Sequence, residues 1–186
     1  MSAPSIPDEL DPVACLVRAL ALYSIAEAQL GHATTVRVRA EGAAFSVSDD
    51  GRGHAIQRTV GGSPYLRFVY EHLDYPFETA QDSSIQLHGI GMSLINVLCR
   101  ELSVTARKRD ATLRMTYRDG KLLSEELSDI GSVETGNTIT GTIHPQLQLG
   151  GANPERIRRW LRHVRAVRPS LKLFFNDEQV HASLGV

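Results

Sequence analysis

Apolar and polar positions recur with two different periods along this chain, and the changes of period mark its elements. From Asp11 to Leu30 apolar side chains return at helical spacing, with Asp11 and Pro12 placed as N-cap and first helical residue and Gly31 as the stop. The period then drops to two. Thr34–Ala40 (TTVRVRA) alternates and is rich in β-branched residues, and Ala43–Ser48 (AAFSVS) returns after Gly42, so the pattern predicts two strands. Tyr65–Leu73 (YLRFVYEHL) is helical in spacing. Leu73–Leu87 is polar and weakly patterned, long enough to read as a lid. Gly89–Cys99 (GIGMSLINVLC) predicts a glycine-rich loop entering a helix. Strands are predicted at LSVTARKR from Leu102, TLRMTYR from Thr112, KLLSEEL from Lys121 and NTITGTIH from Asn137, with Asp119–Gly120 as a two-residue hairpin turn. Asn153 and Pro154 cap a last helix to Val167, and Leu171–Phe175 is a final strand. Runs of strand set among helices in this order predict an α+β fold: a two-layer sandwich with a mixed, mostly antiparallel sheet and helices on one face. Residues 1–10 read as an irregular arm and residues 11–186 as a single domain without repeats or linkers.

Composition removes several classes of function. The formal net charge is −1, so strong non-specific binding of nucleic acid by the whole chain is not expected. The start, Met1 to Pro7, has neither a basic nor an apolar region, and no run reaches the roughly 20 apolar residues of a membrane span; a cytoplasmic chain with no membrane partner is the expectation. Cys15 and Cys99 lie in apolar helical patterns and read as buried free thiols. His32, His54, His88, His144, His163 and His181 are scattered without zinc-type pairing. Ser24 and Ser93 lack the context of a hydrolase nucleophile. The arginines of the last helix, Arg156, Arg158, Arg159, Arg162, Arg165 and Arg168, read as a solvated face ahead of a nucleic-acid groove.

Three segments carry candidate chemistry. Val47-Ser-Asp-Asp-Gly-Arg-Gly53 sets a carboxylate at a strand end before Gly-x-Gly. The acid could accept from an exocyclic amine while glycine lets a base lie against backbone, although Asp-Gly turns are common. Leu87-His-Gly-Ile-Gly-Met-Ser93 runs into a helix, where backbone N–H groups and the dipole favour phosphate; helix-packing glycines are the other reading. Thr138-Ile-Thr-Gly-Thr142 lies on a late strand, where threonine is ordinarily a β-former.

In this order and at these spacings the three segments resemble the ATPase domain of gyrase B and topoisomerase IV in the GHKL (Bergerat-fold) superfamily. Ser24-Ile-Ala-Glu-Ala28 with Gly31-His32, and the ending RRWLRHVRAVRPSLKLFFND, resemble that family's first helix and closing helix and strand. The resemblance implies that Asp49 binds the adenine amine, Gly53 lines the base, and Thr142 assists Asp49 through water. Leu87, His88, Gly89, Ile90 and Gly91 would wrap the phosphates of ATP or ADP, and Glu27 would pair with Arg52. It further implies a catalytic Glu and a Mg²⁺-holding Asn on the first helix, but those positions are Ala19 and Tyr23 here. The family's glycine before Leu-His-Gly is Gln86, and Phe68–Cys99 contains no Lys or Arg but does contain Glu71, Asp74, Glu78 and Asp82. No Lys-supplying transducer or Toprim segment is expected in this sequence, and so no topoisomerase activity by the chain alone. The expectation is adenine-nucleotide binding with hydrolysis lost or very weak. Two alternatives stand beside it: a non-binding pseudo-ATPase that serves as a protein-interaction module, and an ATPase active only with a partner chain of a topoisomerase-like complex.

Overall fold

The computed structural model describes residues 11–72, 91–147 and 153–182. Helix α1 (Pro12–Gln29) begins where Asp11 accepts the N–H of Ala14 at 2.9 Å. The second Asp11 oxygen accepts the N–H of Asn153 at 2.9 Å, so one buried carboxylate ties the start of α1 to the start of α4 (Pro154–Val167). Asn153 caps α4 in turn, accepting the N–H of Glu155.

Strands β1 (Thr35–Glu41) and β2 (Ala44–Asp49) form a hairpin. The short strands β3 (Thr59–Val60) and β4 (Ser63–Pro64) pair with each other and lead into α2 (Tyr65–Glu71). Helix α3 (Met92–Leu98) is followed at once by β5 (Cys99–Arg107), β6 (Thr112–Arg118) and β7 (Lys121–Ser128). Strand β8 (Gly136–Ile143) precedes α4, and β9 (Lys172–Phe175) and β10 (Glu178–Gln179) follow it. The large sheet runs β10-β9-β1-β2-β8-β5-β6-β7. Every neighbour pair in it is antiparallel except β1 and β9, which are parallel.

Alternation decides the two faces. Val36, Val38, Leu102, Val104, Ala106, Leu113, Met115, Leu173 and Phe175 point into the core with the apolar side of α1. Helix α1 packs on β1 and β2, while α4 packs on β9 and α1. The opposite face carries Arg37, Arg39, Ser46, Ser48, Thr138 and Thr140. This is the expected sandwich: helices on one side of a mostly antiparallel sheet.

The expected elements differ in detail. Cys99 opens β5 instead of ending a helix, because α3 stops one residue earlier; its thiol is buried and pushed up to about 12 by that burial. Cys15 is only half-buried. Asp119 and Gly120 take φ values of 50° and 76°, the left-handed pair that a tight hairpin requires. The arm at residues 1–10 and the lid from Leu73 to Leu87 lie outside the described residues.

Candidate functional site

Asp49 is the last residue of β2, and its side chain turns inward beneath α1. It is 7% exposed. Such a carboxylate needs partners, and three are supplied. Ser24 of α1 donates its hydroxyl to Oδ2 at 2.8 Å, and the N–H groups of Gly51 and Asn137 donate to Oδ1 at 3.0 and 3.3 Å. The next residue, Asp50, points the other way. It accepts from Thr34 N–H, the Thr34 hydroxyl and Thr35 N–H at 2.5–2.8 Å, and so pins the start of β1. Burial would raise the Asp50 carboxyl, but these donors outweigh it and hold it below the usual range. Strand alternation thus separates two adjacent acids into an inward-facing group and a structural tie.

Glycines bring the surrounding backbone close. A Cβ on Gly136 would collide with the carbonyl oxygen of Asp49, and one on Gly53 would lie 2.5 Å from that of Arg107. Both glycines have positive φ, at 124° and 73°. Asn137 joins the two contacts: its Oδ1 accepts the N–H of His54 at 2.8 Å while its own N–H reaches Asp49. One wall is an ion pair. Arg52 donates through Nη2 and Nε to Glu27 at 2.8 and 3.1 Å. Burial works against the Glu27 charge, but the Arg52 bonds and charge prevail and lower its pKa. Lys108 donates to the carbonyl of Arg52 at 3.3 Å.

Thr142 does not join this group. In the β2–β8 register Thr142 stands opposite Ala44, while Ser48, beside Asp49, stands opposite Thr138. Five residues of strand put Thr142 about 17 Å along β8 from the acid. Asn137 holds the position beside Asp49. The chain contains two similar triplets here, Thr135-Gly136-Asn137 and Thr140-Gly141-Thr142, and the second is the wrong one. Counting pairs back from a β2–β8 pairing would have found the first.

Farther toward the N-terminus of α1 the chemistry changes. Ala19 is buried in the core. The Tyr23 hydroxyl is buried with no hydrogen-bond partner, and burial, then Tyr65, raises its pKa. Tyr70 is likewise buried and unpartnered. Of the expected phosphate loop, Gly91 is the N-cap of α3, whereas Leu87, His88, Gly89 and Ile90 lie outside the described residues, as do Gln86, Asp74, Glu78 and Asp82. Glu71 pairs with Arg67 at 2.9 Å. On α4, Arg158 pairs with Glu178, Arg162 with Glu155, and Arg165 donates to the carbonyls of Arg168 and Pro169. No group of three His, Cys, Asp or Glu is placed to hold a metal ion among the described residues.

An inward aspartate at a strand end, backed by glycines and roofed by the first helix of a two-layer sandwich, defines a GHKL-type domain. Within that superfamily the chain resembles the N-terminal part of the gyrase B proteins. It is 32% identical to the DNA gyrase B protein of Thermus thermophilus over 165 residues, covering 84% of this chain and 26% of that protein. Against the DNA gyrase B protein of Campylobacter jejuni the identity is 30% over 165 residues, 84% of this chain and 21% of that one. The DNA topoisomerase 4 B protein of Pseudomonas aeruginosa is 27% identical over 165 residues, 83% of this chain and 26% of that one. The chain thus spans about a quarter of the length of these relatives. No family model matches it.

Proposed function

We propose that this chain binds an adenine nucleotide at Asp49 and hydrolyses it very slowly or not at all. The observation that carries the reading is the Asp49 carboxylate, buried yet backed by the close-approach glycines Gly51, Gly53 and Gly136. An exocyclic amine can share Oδ2 with the Ser24 hydroxyl, since a carboxylate offers about four acceptor positions. Glu27 and Arg52 would hold the wall, and Gly91, with the expected loop Leu87–Ile90, would meet the phosphates.

The slow-hydrolysis half of the reading rests on Ala19 and Tyr23. A methyl group cannot activate water. A buried, neutral, unpaired phenol is a poor ligand for Mg²⁺, which favours carboxylate, carbonyl and water oxygens. The residues present at these two positions therefore do not fit the metal, and nucleotide binding is proposed as metal-independent. Loss of a general base alone slows a reaction by about 10²–10⁴-fold.

Calorimetric titration of ATP and ADP, with and without Mg²⁺, tests the reading on wild type and Asp49→Ala. The expected result is binding that does not require Mg²⁺ and disappears in Asp49→Ala. No heat of binding at millimolar nucleotide overturns it and favours the second reading, a pseudo-ATPase that engages a protein partner. The unpaired Tyr23 phenol is the observation that supports this second reading. Steady-state turnover of several per second, an ordinary enzymatic rate on the order of the median, would overturn the claim for Ala19. Turnover that appears only after a partner chain is added would point to an ATPase completed in trans.

A further inference from the structure

We propose that His54 reads the base together with Asp49 and makes the site selective for adenine over guanine; this rests on the nucleotide reading above. His54 is joined to the acid by a short chain of bonds. Asp49 Oδ1 accepts from the Asn137 N–H, and Asn137 Oδ1 accepts from the His54 N–H. The preceding residue, Gly53, is left-handed and packed under the carbonyl of Arg107, so the backbone that presents His54 has no room to shift. The imidazole is half-buried, and its ring nitrogens make no hydrogen bond to any described residue. Both polar atoms of the ring are therefore uncommitted in a region otherwise closely paired.

The charges around the ring set its form. Burial lowers its pKa and Lys108 lowers it further, while Asp49 and Glu27 act in the opposite direction without cancelling the shift. Arg52, the remaining nearby cation, is held by Glu27. The ring is accordingly neutral near pH 7, with one N–H donor and one bare nitrogen acceptor. Asp49 offers an acceptor and His54 offers a donor. Adenine presents the complement, an amine donor at N6 beside acceptor nitrogens. Guanine presents O6 where adenine has its amine, and O6 against the Asp49 carboxylate places two acceptors face to face. Selectivity follows from the pair of residues, since the acid alone would also accept other amines.

The test is binding of ATP and GTP to the full chain, wild type and variants, by calorimetry. Wild type is expected to prefer ATP. His54→Phe, which keeps the bulk and removes both polar atoms, is expected to weaken ATP binding about 10-fold, as for loss of one hydrogen bond, and to narrow the ATP-to-GTP ratio. His54→Gln, which restores a donor and an acceptor, is expected to recover part of both. As a check free of folding effects, the His54 ring signals of wild type should move on ATP titration in a ¹H–¹³C NMR spectrum. Asp49→Ala losing ATP while His54→Phe keeps wild-type affinity and ratio overturns the His54 role and leaves the nucleotide reading standing; unmoved ring signals at saturating ATP do the same. Wild type that binds no nucleotide overturns both.

Discussion

Two stretches of one helix differ sharply. Toward its C-terminal end α1 presents Ser24 to Asp49 and Glu27 to Arg52, and every one of these polar groups has a partner. One turn earlier it presents Ala19 and Tyr23, a methyl group and a phenol whose hydroxyl has none. The first stretch is what recognition requires: a few satisfied acceptors held still. The second lacks what water activation and metal binding require, namely charge or strong oxygen donors. Recognition and turnover are therefore separable along this helix, and substitutions can test the separation from either side.

The largest expected effect is at the recognition end. Gly136→Ala drives a Cβ into the Asp49 carbonyl at a positive φ, and a loss of about 4 kcal/mol is expected in urea unfolding. Gly42→Ala, also at positive φ but with open space around it, should cost only about 1 kcal/mol, so the difference isolates the backbone contact. Next is Asp49→Ala, which leaves the Ser24 hydroxyl and two N–H groups without their acceptor. A stability loss of about 2–3 kcal/mol should accompany the loss of nucleotide binding. Tyr23→Phe is expected to go the other way. Removing a buried hydroxyl that has no partner should be neutral or raise stability by up to about 1 kcal/mol, read as an unchanged or higher thermal midpoint. A clear loss would mean that this hydroxyl is paired in solution, and the contrast between the two stretches would fail.

The smallest effect is on pH. Glu27 and Asp50 have folded-state pKa values below their ordinary ones. The stability they add is therefore present above the unfolded carboxylate values and is lost as pH falls through the folded ones. Denaturant midpoints measured downward from pH 6 should fall below about pH 4.5, the ordinary carboxylate range, and the fall should be smaller in Glu27→Gln. A midpoint that rises on acidification would contradict the signs of both shifts.

Local signals in the sequence are reliable guides. Asp11-Pro12, Asn153-Pro154 and Asp119-Gly120 act within a few residues of themselves, and each marks the boundary or turn expected of it. Alternation outlines the strands for the same reason. The two-residue strands β3, β4 and β10 are not legible, because alternation needs more positions than they have. The acid at Asp49 stands out through the glycines beside it. Its partners do not. Asn137 reaches Asp49 only through the pairing of β2 with β8, a register that no local pattern states, and the hydroxyl-rich triplet at Thr142 is the more conspicuous choice. Ser24 is legible as part of the first helix but not as the donor to Asp49, since that bond spans 25 residues of chain. In the sequence His54 is only one of several scattered histidines. Its neighbourhood exists once the left-handed turn at Gly53 and the Asn137 bond are formed.

The single parallel pairing in the large sheet has a consequence for how the chain is made. Strand β1 lies between β2 and β9, with Val36 beside Leu173 and Val38 beside Phe175. The bond from Lys172 to Thr34, and the Asn176 amide bonded to both backbone groups of Ala40, close the same edge. During synthesis Val36 emerges from the ribosome long before Leu173 exists. Until then β1 presents an open row of backbone donors and acceptors, the kind of edge on which a second nascent chain can add. Polysomes crowded on one message would be most exposed to that encounter, and a chaperone that shields β1 through the last quarter of translation should raise the soluble yield.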